Sequence, residues 1–264
     1  RLSAGLDFWG FLGSLILGGI ILGIYTGLLG YVGAKTGLSL DLLSQRAFGE
    51  KGSYLPSAMT SFTQIGWFGV GSFVSGGTAT PNFARFAKDG KAGAITTVVA
   101  FFIGNSLMFF FGAVSSIFVG GNDIFEVMVR LNLFYLAVLV LGLNIWTTND
   151  NALYTAGLGL ANIFHQRKKP MVLLSGIIGT VASVWLYYNF CGWLNILNCT
   201  LPPVGMILVL AYFMNKKDFE TDQPKLKTVD WFAVAGVILG AIVANLLHWG
   251  IASINGMVVA AVCY

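Results

Sequence analysis

LGLNIWTTNDNALY, Leu141 to Tyr154, places Asn144, Thr147, Thr148, Asn149, Asp150 and Asn151 almost back to back inside a long apolar segment. Hydrocarbon makes such groups costly unless something satisfies them. At about 100° per residue, Asn144, Thr147, Thr148 and Asn151 share roughly 100° of arc on a helix. Such a stripe of oxygens offers ligands to a hard cation such as sodium. The same stripe also serves as hydrogen-bonding glue between membrane helices. Asp150 lies about 120° round from Asn144, off the stripe, which reads as a structural partner for a neighbouring helix or a proton carrier.

The surrounding composition fixes the class. Of 264 residues, 56% are hydrophobic and only 10% charged, with 21 Phe and 34 Gly. Mean hydropathy is +0.78. Soluble domains carry about 25% charge, so this is an all-α polytopic membrane protein in a lipid bilayer. The net charge of +4 sits in scattered loops and does not point to nucleic acid. Cys191, Cys199 and Cys263 are too few for a disulfide framework. Paired catalytic acids, a His/Cys metal cluster and a phosphate loop are all missing from the sequence, so the chain does not read as an enzyme.

Apolar segments run over residues 8–33, 54–80, 92–121, 131–164, 171–189, 190–214, 231–250 and 251–264. The sixth contains Pro202-Pro203, which predicts an interruption there. His248 falls at the end of the seventh, at an interface. Basic loops mark the inner side of the membrane. The loops around Lys216, Arg167, Arg85 to Lys91, and Lys35 to Lys51 are all basic. Yet only residues 54–80 separate the last two, and one crossing cannot begin and end on the same side. Either that segment is re-entrant or crossings are missing from it.

Several long stretches resemble the nucleobase–cation symporters, and within them the bacterial cytosine permeases. They are GYVGAKTGLSLDLLSQRAFGEKGSYLPS (30–57), TQIGWFGVG (63–71), SFVSGGTATPNFARF (72–86), FFIGNSLMFFFGA (101–113), LGLNIWTTNDNALYTAGLGLANI (141–163), SGIIGTVASVWLYYNFCGWL (175–194) and LPPVG (201–205). The resemblance implies a LeuT-like inverted-repeat transporter with twelve helices, of which this chain lacks those matching helices one, four and five. Residues 1–71 then hold helices two and three of the first repeat. Residues 72–214 hold the second repeat, helices six to ten, and residues 215–264 the last two helices. Helices three and six meet at Gly71-Ser72. Restoring the missing crossings lets both basic loops lie inside.

The resemblance also implies roles. Gln64, Trp67, Ser72, Phe73, Ser75 and Asn149 match substrate-contacting positions, with Trp67 and Phe73 on either face of a flat base. Asn144, Thr147 and Thr148 match the sodium site. Pro202 and Pro203 match a gate helix. The implied function is import of cytosine coupled to sodium by alternating access, in a monomer of the bacterial inner membrane. Proton coupling, a purine, hydantoin, allantoin or thiamine cargo, and a scaffold or channel are the alternatives.

Overall fold

Long uncharged runs leave the backbone one economical choice in a membrane, the helix, because it satisfies its own N–H and C=O groups. A computed structural model of the chain describes residues 8–70, 79–120, 124–221, 224, 226–247 and 249–264, and every regular element among them is helical. Each of the eight apolar segments carries a helix. The first gives α1 (Phe8–Thr36), and the short α2 (Leu40–Phe48) follows, capped by the Ser39 hydroxyl. Next come α3 (Tyr54–Val70) and the single turn α4 (Pro81–Ala84). Asp89 caps α5 (Gly90–Val99), which runs through a π-helical turn at Ala100–Gly104 into α6 (Asn105–Val119). A short α7 (Ile124–Arg130) leads into α8 (Phe134–Phe164), the longest helix at 31 residues. The remainder is α9 (Lys168–Tyr188), α10 (Phe190–Met214), α11 (Lys216–Phe219), α12 (Trp231–Leu246) and α13 (Ala252–Cys263).

Four helical stretches are long and apolar enough to cross a membrane: Leu12–Thr36, Gly90–Val119, Lys168–Leu186 and Phe190–Met214. The helix α8 has the length but not the uniform hydropathy, because its polar run dilutes it.

Packing is concentrated at one end of the bundle. One core joins α1, α2, α10, α12 and α13 through residues such as Leu29, Leu43, Phe48, Ile207 and Val237. A second joins α8, α9 and α10 through Ala152, Leu186, Trp193, Leu197 and Leu201. The other half of the molecule is open. No side chain of α6 is buried, and before Ala152 the only buried residue of α8 is Ala137.

The basic loops meet at the packed end. Arg46 donates to the Asp218 carbonyl at 2.7 Å, and the Tyr54 hydroxyl lies 2.7 Å from His165 Nε2. Glu50 N–H donates to the Lys227 carbonyl at 2.7 Å. Leu40 N–H donates to Asn82 Oδ1 at 2.8 Å, so the loops flanking residues 54–80 do lie at the same end.

The interruption expected at Pro202-Pro203 does not occur: α10 runs unbroken through both. A proline inside a helix leaves the carbonyl four residues earlier without its donor. For Pro202 that carbonyl belongs to Asn198. The Ser253 hydroxyl of α13 donates to it at 3.3 Å and lies 2.5 Å from Asn198 Oδ1. Pro203 packs where α12 and α13 come together at Gly240 and Gly256, within 3.2 Å of where a Cβ would stand on either glycine. All three cysteines are free thiols. Cys191 and Cys199 are eight residues apart on one helix, about 12 Å along its axis, beyond disulfide reach.

A Cβ on Gly240 would stand 2.6 Å from the Gly256 carbonyl oxygen, whereas one on Gly13 meets nothing within 4 Å. Gly240→Ala is expected to destabilise by about 1–3 kcal/mol through overpacking. Gly13→Ala should be neutral or slightly stabilising. Thermal unfolding in detergent checks both: equal midpoints for the two variants would contradict the close α12–α13 approach.

Candidate functional site

The polar run lies on α8 where the helix leaves the packed end. Its anchorage is set by small residues. Gly159 has no room for a side chain, because a Cβ there would overlap the Ser61 hydroxyl of α3 and stand 2.8 Å from the Ser57 carbonyl. Ser61 Oγ donates to the Ala156 carbonyl at 3.2 Å. Asn162 Nδ2 donates to Ser57 Oγ at 2.9 Å and to Ser53 Oγ at 3.1 Å. These contacts run in opposite chain directions, so α3 and α8 are antiparallel. One further turn brings Gln64 level with the segment after Asp150, and Trp67 level with Asn149.

Gln64 is buried at 8% exposure. The backbone of Trp67 is in α3, and its side chain lies outside the described residues, as do Ser72, Phe73, Ser75 and His248. Asn144 and Thr147 are exposed, and Thr148 and Asn149 are half-buried. Thr147 Oγ1 donates only to its own helix, to the Leu143 and Asn144 carbonyls at 3.1 Å each. Asn149 Oδ1 is sealed from solvent with no partner among the described residues. Asp150 is exposed, and its charge reaches Lys168 at the start of α9. Pro202 is half-buried and Pro203 buried.

The structure thus brings Gln64 close in level to the polar run, while the three sodium-type positions share one helix. Among the described residues, no side chain of Asn144, Thr147, Thr148, Asn149 or Asn151 bonds to another helix.

Two features were not read from the sequence. Trp193 of α10 is 2% exposed, and its indole lies against Gly66 of α3, one residue before Trp67. The Phe190 ring is 6.1 Å away, so an aromatic pair backs this region. Second, Tyr154 gathers two cations. Arg85 Nη2 donates to its hydroxyl, and Lys168 Nζ stands 3.4 Å from its ring centroid. Only weak signals of either are present in the sequence, a Trp in FCGWL and basic residues in two separate loops.

Known proteins place the chain. A family model described as "Permease for cytosine/purines, uracil, thiamine, allantoin" matches residues 1–79 and 69–263. Proteins named cytosine permease from Escherichia coli strains K12, O6:H1 and O157:H7 are each 36% identical, covering 100% of this chain and 84% of theirs. The match extends over 356 positions, whereas the chain has 264 residues, so 92 positions (356 less 264) face no residue here. The two family-model segments overlap at residues 69–79, which contain the Gly71-Ser72 junction. Fold and comparisons agree: the chain is a multi-pass membrane protein that belongs to the permease family for cytosine/purines, uracil, thiamine and allantoin.

Proposed function

We propose that the chain is the body of a nucleobase transporter, with cytosine as its cargo and sodium as its coupling ion, working by alternating access in the bacterial inner membrane. One observation carries the reading. Among the described residues the polar run of α8 makes no hydrogen bond to another helix, which leaves its groups open to a ligand. Polar groups left unsatisfied at membrane depth are the usual mark of a ligand path. The sealed Asn149 amide oxygen is an acceptor for an exocyclic amino group, and leaving it unmet costs about 1–3 kcal/mol. Buried Gln64 has the chemistry to read the hydrogen-bonding edge of a base. Trp67 and Phe73 would stack on its faces, each worth about 1–3 kcal/mol.

Asn144, Thr147 and Thr148 supply neutral oxygens of the kind a hard cation takes. They share a helix with Asn149, so ordering that helix for one ligand favours the other, and the coupling is reciprocal. The exposed half of α8 is the surface that further LeuT-like helices would cover. If the 92 positions without a residue here fall at the junction in residues 69–79, they have room for three further crossings at about 20 residues each. Three further crossings, with the one that residues 54–80 already make, would give four, and an even number returns both flanking loops to one side of the membrane.

The test is radiolabelled cytosine uptake into proteoliposomes. It uses this chain and, in parallel, the same chain with the relative's segment matching helix one joined before Arg1 and its intervening segment inserted between Gly71 and Ser72. Uptake driven by a sodium gradient is expected in the restored protein. Asn149→Ala and Thr148→Ala should each lower it roughly 5- to 100-fold, the equivalent of one buried hydrogen bond. Uptake of no nucleobase by either protein overturns the proposal. Uptake indifferent to sodium keeps the cargo and removes the sodium site.

Side-chain roles separate in a second measurement. Trp67→Ala should weaken cytosine binding while leaving the sodium dependence of the remaining uptake unchanged. Asp150→Asn should leave both nearly intact, since this carboxylate is exposed and lies off the stripe. Loss of uptake in Asp150→Asn would move the coupling to that carboxylate.

A further inference from the structure

Asp41 occupies the first turn of α2 at the packed end and is only 5% exposed. Its Oδ1 accepts from the Ser57 hydroxyl at 2.6 Å. Ser57 Oγ accepts in turn from Asn162 Nδ2 at 2.9 Å, and Asn162 Oδ1 accepts from Gln45 Nε2 at 2.6 Å. One continuous set of hydrogen bonds therefore links α2, α3 and the last turns of α8. Asp41 has no cation within ion-pair distance among the described residues. The Ser44 hydroxyl, one turn further along α2, is fully buried and finds no partner among them either.

This arrangement suits a carboxylic acid better than a carboxylate. An ionised group buried without a counter-charge is strongly disfavoured. A protonated one donates as well as accepts, and the Ser44 oxygen, at i+3 on the same face, offers an acceptor. We propose that Asp41 is a proton-binding site whose occupancy sets how firmly α2 is held against α3 and α8. The proton-bound form holds the three elements together, and ionisation loosens them. The site lies away from the polar run, and the proposal does not depend on the cargo.

Burial pushes the Asp41 carboxyl up to about 6, and the Ser57 bond and the Arg85 charge pull it back only in part. A group raised in this way contributes stability that is complete below the ordinary carboxylate range and is lost as pH rises through about 6. Other charged groups around α2 are engaged elsewhere. Arg46 turns to the Asp218 carbonyl, His165 meets Tyr54, and Lys227 pairs with Asp230. Tyr212 of α10 donates to Glu220. Glu50 and Lys51 are exposed, as are Lys216, Lys217 and Asp218 on α11. Arg85 is the one charge that acts on Asp41.

The experiment is thermal unfolding of the whole chain in detergent between about pH 5 and pH 8, a window spanning carboxylate and imidazole titration. The wild-type midpoint should fall as pH rises through about 6. Asp41→Asn should flatten that fall and, at the alkaline end, melt no lower than wild type. His165→Gln, which removes the imidazole bonded to Tyr54, should keep it. Ser57→Ala deletes the donor that favours the ionised form and should move the fall to higher pH. The proposal is overturned if Asp41→Asn keeps the wild-type slope, or if the slope disappears with His165→Gln instead. Should Asp41→Asn fail to fold, Ser57→Ala decides: an upward displacement supports the site, and an unmoved profile removes it. The readout is unfolding rather than uptake, so a failure here is separable from a failure of the transport reading.

Discussion

A bilayer supplies no water to a stranded donor or acceptor, and this one constraint orders the whole molecule. It makes every apolar run a helix. It also requires that each break in a helix's own ladder be repaired from another helix. The repair at Pro202 shows the rule at work: the carbonyl of Asn198, deprived of its partner, is met by the Ser253 hydroxyl of α13. That hydroxyl meets one of the two carbonyls, those of Asn198 and Cys199, that the tandem proline frees. With it, α10 continues straight through and presents Pro203 to the glycines of α12 and α13.

Hydrophobic burial contributes little to such packing, because lipid is as apolar as leucine. Close backbone approach and interhelical polar bonds must carry it, and both are found at the same end. Gly159 brings α8 against α3, and Asn162 then reaches Ser53, Ser57 and Gln45. Toward the other end, α6 buries nothing and α8 almost nothing. The contrast matches a chain whose alignment with its relatives leaves 92 positions (356 aligned less 264 present) without a residue here.

Much of this was legible in the sequence, for local reasons. Uncharged runs of twenty or more residues announce membrane helices whatever their neighbours do. The parity conflict between two basic loops pointed to residues 54–80, and the family match divides inside that stretch. What could not be read depends on partners remote in sequence. Asp41 and Ser57 are 16 positions apart, Gln45 and Asn162 are 117, and no periodicity connects them. The prolines were misread for the same reason, since Ser253 lies 55 positions from Asn198. The polar run itself was plain, but a stripe on one helix does not state what covers it. Trp193 escaped notice because an indole in an apolar run is ordinary until its contact with Gly66 is known.

The geometry of α8 connects its two chemistries. No proline interrupts Phe134–Phe164, so the helix transmits displacement along its axis as a rod. Asn162, in the hydrogen-bonded clamp, and Asn149, in the polar run, are 13 residues apart, about 20 Å. The helix is continuous between the two. Gly157 and Gly159 place the pivot, because both face neighbours too close for a side chain, Val172 of α9 and Ser61 of α3. Below that pivot α8 is held by polar bonds that each contribute about 1 kcal/mol and reform readily. Above it the bonds are those of Ser61 to the Ala156 carbonyl and of Arg85 to the Tyr154 hydroxyl, and among the described residues none reaches the run itself. One helix thus carries a bonded clamp at one end and open polar groups at the other, and the physical link between them is the unbroken helix itself.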